Sequence, residues 1–168
     1  MEQHTISVLV QNKFGVLARI SGLFSGRGYN IESLSVNSTN DPNISKMTIV
    51  TSGDDEIIEQ IDKQLNKLID VLKVTDLASG DFIERELALV KIGVNKKDRS
   101  EIIQITKIFG GNIVNVHKNE LAIELSGKGN KVQNFIDLLS EFDIIEVVRT
   151  GRVAISRQPG VTEDYSNL

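Results

Sequence analysis

The run Gly28-Tyr29-Asn30-Ile31 returns as Gly110-Gly111-Asn112-Ile113 at an offset of 82 residues. It does so at the same point in two similar successions of apolar patterns, so the chain has to fold as one arrangement used twice. In the first half Ile6, Val8 and Val10 alternate with Ser7, while Leu9 breaks the alternation. That pattern predicts a strand buried on both faces. Val16, Leu17, Ile20, Leu23 and Phe24 then recur at helical spacing, and Gly26 and Gly28 end that helix. Asn30 to Asn37 reads as a strand, Ser38-Thr39-Asn40-Asp41-Pro42-Asn43 as a turn, and Lys46 to Thr51 as the returning strand of a hairpin. Asp54 or Asp55 caps a second helix with Ile57, Ile58, Ile61, Leu65 and Leu68 on one face, and Val71 to Leu77 is a last strand.

The second half repeats the order. Glu86 to Val94 is its first strand, and Ile102, Ile105, Ile108 and Phe109 mark its first helix. Ile113 to His117 and Leu121 to Leu125 form a tighter hairpin around Lys118-Asn119. Val132, Phe135, Ile136 and Leu139 give a helix, and Ile144 to Arg149 a strand. The fold class is therefore α+β: two tandem ferredoxin-like βαββαβ domains, each with two helices on one face of a four-stranded antiparallel sheet. The sheet's other face has to be covered by something else, most simply another copy. The boundary falls near Ser79-Gly80-Asp81, giving domains at 1–79 and 80–158 and a flexible tail at 159–168.

Composition narrows the function classes. At 40% hydrophobic but only 5% aromatic, the core has to be built from Ile, Leu and Val. The net charge of −4, with both signs interspersed, argues against a nucleic-acid surface. RNA recognition motifs share the β-α-β-β-α-β order, but their central strands need stacking aromatics where this chain offers Ile, Val, Met and Ser. With no cysteine, disulfides, thiolate metal sites and cysteine nucleophiles are excluded. The amino terminus has neither the basic nor the apolar region of a signal peptide, and no apolar run approaches the roughly 20 residues a bilayer demands. The expectation is a cytoplasmic protein.

Chemistry concentrates in the first strand-to-helix turn. Gly15 lets a ligand approach the backbone, and the N–H groups of Gly15, Val16, Leu17 and Ala18 lack intrahelical partners, so a carboxylate can dock there. Asn12 and Asn30 each donate and accept, which suits a zwitterion, and Val16, Leu17 and Ile31 can wall a small apolar pocket. The combination fits an aliphatic amino acid. A plainer reading stands beside it: the glycine is a requirement of the turn and Asn12 caps the helix. Gly22, costing about 1 kcal/mol relative to alanine in a helix interior, makes a small-residue face with Ala18, Ser21 and Ser25 and predicts close approach by another element or chain. The second half has Lys97-Asp98-Arg99 where the first has its glycine turn, so the second copy is not expected to bind. His4 and His117 read as surface or edge-strand residues, Asp54-Asp55 as a cap, and Glu84 and Glu86 as a solvated strand face. No G-x-S-x-G, H-E-x-x-H or P-loop is present, and no enzyme is expected.

Those residues carry a resemblance to the small regulatory subunits of acetohydroxyacid synthase (acetolactate synthase), whose first half is an ACT domain. It runs through Ser7-Val8-Leu9-Val10, Asn12, Gly15-Val16-Leu17-Ala18-Arg19-Ile20, Gly22-Leu23-Phe24 and Arg27-Gly28-Tyr29-Asn30-Ile31-Glu32-Ser33-Leu34, and through Glu84 to Lys91 in the second half. The resemblance implies a subunit without catalytic chemistry or cofactors of its own. Its partner would be a separate catalytic subunit carrying thiamine diphosphate, Mg and FAD, which it activates and makes sensitive to feedback inhibition by valine. It further implies homodimers through the ACT domains, with the effector on Asn12, Gly15, Val16, Leu17, Ala18, Asn30 and Ile31. No nucleic-acid or membrane partner is implied. A free-standing ACT-domain amino-acid sensor without a catalytic partner is the alternative.

Overall fold

Strand β1 (Glu2–Gln11) is the axis of the first unit, and every residue from Thr5 to Val10 is 3% exposed or less. In the computed structural model, which describes residues 2–158, it is followed by α1 (Val16–Gly26), β2 (Ser33–Ser38), β3 (Ile44–Gly53), α2 (Asp55–Leu65) and β4 (Val71–Asp76). The tail at 159–168 lies outside the described residues. The sheet runs β2-β3-β1-β4, all neighbours antiparallel, which is the ferredoxin-like order expected. Ile6, Val8 and Val10 with Met47 and Ile49 meet Val16, Ile20, Leu23 and Phe24 of α1 and Ile58, Ile61 and Leu65 of α2 in one core. Each such side chain contributes about 1.5–3 kcal/mol by leaving water. Between the two capping candidates the structure selects Asp54, whose Oδ1 accepts the Ile57 N–H at 2.9 Å.

The other face of this sheet corrects an expectation. Ser7 and Leu9 of β1 and Thr48 and Val50 of β3, which alternate with the core-facing residues, are also buried. They are buried within one chain, with β9 (Val153–Ser156) lying against β1, so burying these central positions takes no second copy. His4 is likewise no surface or edge residue. It sits in the central strand, 7% exposed, with Nδ1 3.2 Å from Asp76 Oδ2.

The second unit comprises β5 (Phe82–Gly93), α3 (Asp98–Ile108), β6 (Asn112–Val116), β7 (Glu120–Gly127), α4 (Gly129–Leu139) and β8 (Ile144–Arg149), with sheet order β6-β7-β5-β8. Val90, Ile92, Ile102, Leu121, Ile123, Leu125, Phe135 and Leu139 build its core. Glu86 departs from the solvated-face reading: it is 4% exposed and accepts from Arg149 through both carboxylate oxygens, at 2.7 and 2.9 Å. That hydrogen bonding raises the Arg149 pKa above the ordinary guanidinium value.

The chain divides into 84–151 and the remainder, so the described parts of the first unit are 2–83 and 152–158. The expected limits of 79/80 and 158 differ from this division. Gly151 takes φ 77°, and the following strand β9 groups with the first unit, where Arg157 N–H donates to the Asp81 carbonyl at 2.9 Å and Arg152 N–H to Ser33 Oγ at 3.0 Å.

The repeat of Gly28-Tyr29-Asn30-Ile31 as Gly110-Gly111-Asn112-Ile113 has a local cause. Gly28 (φ 71°) and Gly110 (φ 68°) end α1 and α3 in the same way. Tyr29 N–H returns to the Phe24 carbonyl at 3.0 Å, and Gly111 N–H to the Thr106 carbonyl at 2.8 Å. Both are Schellman closures, which need a left-handed residue after the helix.

Candidate functional site

The end of β1 is gripped from both sides. Gln11 N–H donates to the Asp70 carbonyl at 2.9 Å, and Asn12 N–H to the Asn43 carbonyl at 2.7 Å. The Asn12 side chain also donates, through Nδ2, to the Pro42 carbonyl at 2.9 Å. Asn12 therefore braces the β2–β3 hairpin and does not cap α1. The residue before the helix is Gly15, in the left-handed region at φ 82°, with no side-chain hydrogen bond to the helix. A Cβ there would meet nothing within 4 Å, so its conformation, and not crowding within the chain, demands glycine.

The helix start is open. The first regular bond is Arg19 N–H to the Gly15 carbonyl at 3.0 Å, and Val16 N–H reaches the Lys13 carbonyl only at 3.4 Å. The N–H groups of Leu17 and Ala18 precede any i−4 carbonyl of the helix. Leu17 is 41% exposed, Ala18 is exposed, and Phe14 at the tip of the turn is fully so. An open groove of about 300 Å³ adjoins the turn, lined by Gln11, Lys13, Asp41, Asn43, Ile44 and Leu72. Two residues unforeseen from sequence complete this end. Arg19 in the first turns of α1 pairs with Asp70, Nη2 to Oδ2 at 2.6 Å, the Asp70 side chain being only 12% exposed.

Asn30 and Ile31 lie elsewhere. Thr51 Oγ1 donates to the Asn30 carbonyl at 2.7 Å, and Thr51 pairs with His4 at the start of β1. Asn12 follows the Gln11–Ile44 pair at the strand's far end. At about 3.3 Å per residue, the stretch from His4 to Gln11 separates the two groups by roughly 23 Å. One chain thus holds Asn12, Gly15, Val16, Leu17 and Ala18 at one end of its sheet and Asn30 and Ile31 at the other.

Most of the run from Arg27 to Ser33 is occupied in holding that second end. Arg27 donates to Gln64 Oε1 at 2.8 Å and Tyr29 to Gln60 Oε1 at 3.0 Å, tying the end of α1 to α2. Glu32 accepts from Gln3 and Ser52. The Asn30 side chain is exposed and Ile31 half-buried. In the second unit the corresponding helix start is filled. Lys97 is helical, and Asn95 Oδ1 accepts from the N–H groups of Lys97 and Asp98 at 2.8 and 3.0 Å.

Comparison with known proteins supplies the family. Residues 6–73 match the model for the AHAS small subunit-like ACT domain, and residues 85–158 the model for the small subunit of acetolactate synthase. A probable acetolactate synthase small subunit of Archaeoglobus fulgidus is 48% identical over 92% of this chain and 97% of its own length. The isozyme 3 small subunit of Escherichia coli is 46% identical over 90% of this chain and 94% of its own. The crystal structure of the acetolactate synthase small subunit from Thermotoga maritima superposes with a TM-score of 0.86 at 41% identity, covering 94% of this chain and 99% of that one. With residues 6–73 matching an ACT-domain model and nine-tenths of its length covered by such relatives, the chain belongs to the acetolactate synthase small-subunit family.

Proposed function

We propose that this chain is the regulatory subunit that seats on a separate acetolactate synthase catalytic subunit, raises its activity and makes it sensitive to valine. The thiamine diphosphate, Mg and FAD of the reaction belong to that catalytic partner in this reading, and the chain itself does no chemistry. One observation carries the effector assignment: the open helix start and the Asn30–Ile31 corner lie at opposite ends of one sheet.

Two copies related by a two-fold axis resolve that separation. Among the described residues strand β2 is an edge strand, paired only with β3. Identical edges joined about a two-fold run antiparallel, so each copy's Asn30 end comes beside the other's hairpin and Asn12–Ala18 turn. Valine then bridges the copies. Its carboxylate accepts from the N–H groups of Leu17 and Ala18 in the field of the helix dipole, worth about 0.3–2 kcal/mol beyond the hydrogen bonds. Its ammonium meets the other copy's Asn30 carbonyl-bearing side chain, and its isopropyl group packs between Leu17 and the other copy's Ile31. To regulate, the ligand has to bind two quaternary states unequally, and a difference of about 1–3 kcal/mol is enough.

Calorimetric titration of the full chain with valine, leucine and isoleucine tests this reading. The expected result is one valine per chain, with the other two binding more weakly by ~10-fold or more, the worth of a methylene in an apolar pocket. Absence of binding by all three would overturn it.

A further inference from the structure

We propose that the loop end of the first unit that carries Phe14 and Ile69 is the surface on which the catalytic subunit docks; this rests on the regulatory reading above. Among the described residues no large apolar side chains are more exposed: Phe14 is fully in solvent and Ile69 is 91% exposed. Exposed apolar side chains gathered at one place mark an interaction surface, whereas scattered ones do not.

These two share one end of the unit. Asp70 follows Ile69 directly; its carbonyl takes the Gln11 N–H at 2.9 Å and its carboxylate the Arg19 guanidinium at 2.6 Å. The connection from α2 to β4 is thereby tied to both ends of the turn that has Phe14 at its tip. Phe14 stands three residues from Gln11, at most about 11 Å away for a trans chain. An interface of ordinary size, about 800 Å² on each partner, spans both side chains. The groove lined in part by Gln11, Lys13, Ile44 and Leu72 opens at the same end, so the surface offers two knobs and a hole.

Charge and topology choose the occupant. Residues 2–83 carry eleven acidic against seven basic side chains, yet this end leaves positive charge uncovered. Arg19 and Asp70 pair with each other, and Asp41 accepts twice from Asn43. Lys13 and Lys67 are exposed and, among the described residues, in no ion pair. The complement is a partner with apolar side chains inside an acidic rim. The second copy proposed above does not cover this end, because it joins at β2. Lys67 and Ile69 lead into β4, at the opposite edge of the sheet. A copy added there head to tail would not close about the same two-fold axis. The catalytic subunit is the partner that the regulatory reading leaves. Phe14 directly precedes Gly15, so the docking surface and the effector turn share one backbone segment, through which a ligand on the turn is felt by the partner.

Titrating the full chain into the acetolactate synthase catalytic subunit, with activation as the readout, tests this. Phe14→Ser and Ile69→Ser each raise the concentration for half-maximal activation about tenfold or more, and together about 100-fold, as expected of apolar side chains buried by a partner. Lys13→Glu with Lys67→Glu raises it about tenfold at low salt, and the difference shrinks as salt is added. Ile108→Ser removes a side chain that is 80% exposed on α3 and leaves the midpoint within about twofold. By calorimetry the Phe14→Ser/Ile69→Ser chain on its own binds valine within about threefold of wild type, and it sediments like wild type. An unchanged activation midpoint in that double variant would overturn the surface alone. Loss of the chain's own dimer in it would assign this end to a second copy and overturn the surface too. A wild-type chain that neither binds nor activates the catalytic subunit would overturn the regulatory reading, and the surface with it.

Discussion

A complex carrying Gly15→Asp keeps working at valine concentrations that shut the wild type down, with valine affinity lowered by about 100-fold or more. Several physical effects add here. Gly15 sits at φ 82°, where a residue with a Cβ costs about 1–2 kcal/mol, and aspartate is among the residues that bear that conformation best. The new Cβ enters open space, so the turn keeps its shape. The carboxylate then stands at the N-cap position, where an aspartate accepts from the second and third N–H groups of a helix. Those are the Leu17 and Ala18 groups assigned to the effector, so the chain's own side chain occupies the effector's place and repels its charge. Gly15→Ala brings the strain without the carboxylate and loses about 30-fold at most. Inhibition curves of the reconstituted complex, with melting midpoints of the two variants, measure the difference.

The second large effect concerns stability. Arg149→Met destabilises the second unit by about 3 kcal/mol, the low end of the cost of breaking a buried ion pair. Glu86 is left 4% exposed with both carboxylate oxygens unpaired. Arg149 itself is 36% exposed in its side chain, which places the effect at that low end. A shift of this size lowers the melting midpoint by roughly 10 °C or more for a unit this small. Adding Glu86→Leu recovers most of the loss, because an apolar pair of similar volume has no charge to desolvate. Thermal denaturation of the single and double variants checks both statements.

Periodicity and turn chemistry made the fold legible before the structure. Ile6, Val8 and Val10, the Asp54 cap and the paired glycines at 28 and 110 all act through neighbours within a few residues, where spacing carries the information. Long-range partnerships escaped it. Nothing near Glu86 marks it as the partner of Arg149, and alternation alone makes it read as solvated. His4 is buried because β1 is central, which depends on strand order and not on its flanking residues.

The site was half legible for the same reason. The glycine before α1 and the unpaired helix start follow from local sequence. Asn12 and Asn30 look like neighbours in a list of polar residues, yet the strand that joins their ends sets them apart. The Arg19–Asp70 pair joins α1 to the approach of β4, a meeting that only the folded sheet brings about. The filled helix start at Asn95 sharpens the contrast: the same fold closes in one unit what it leaves open in the other.

The central claim is that each effector site takes its turn from one chain and its asparagine from another. Mixing Gly15→Asp and Asn30→Asp chains tests it directly. Neither variant alone binds valine, because every site in its homodimer is damaged. In a mixed dimer one site collects both lesions and the other collects none. After subunit exchange at equal concentrations, calorimetry should therefore recover valine binding at about a quarter of wild-type capacity, with wild-type affinity. A mixture that binds no more valine than its two parents would contradict the account and place the whole site within a single chain.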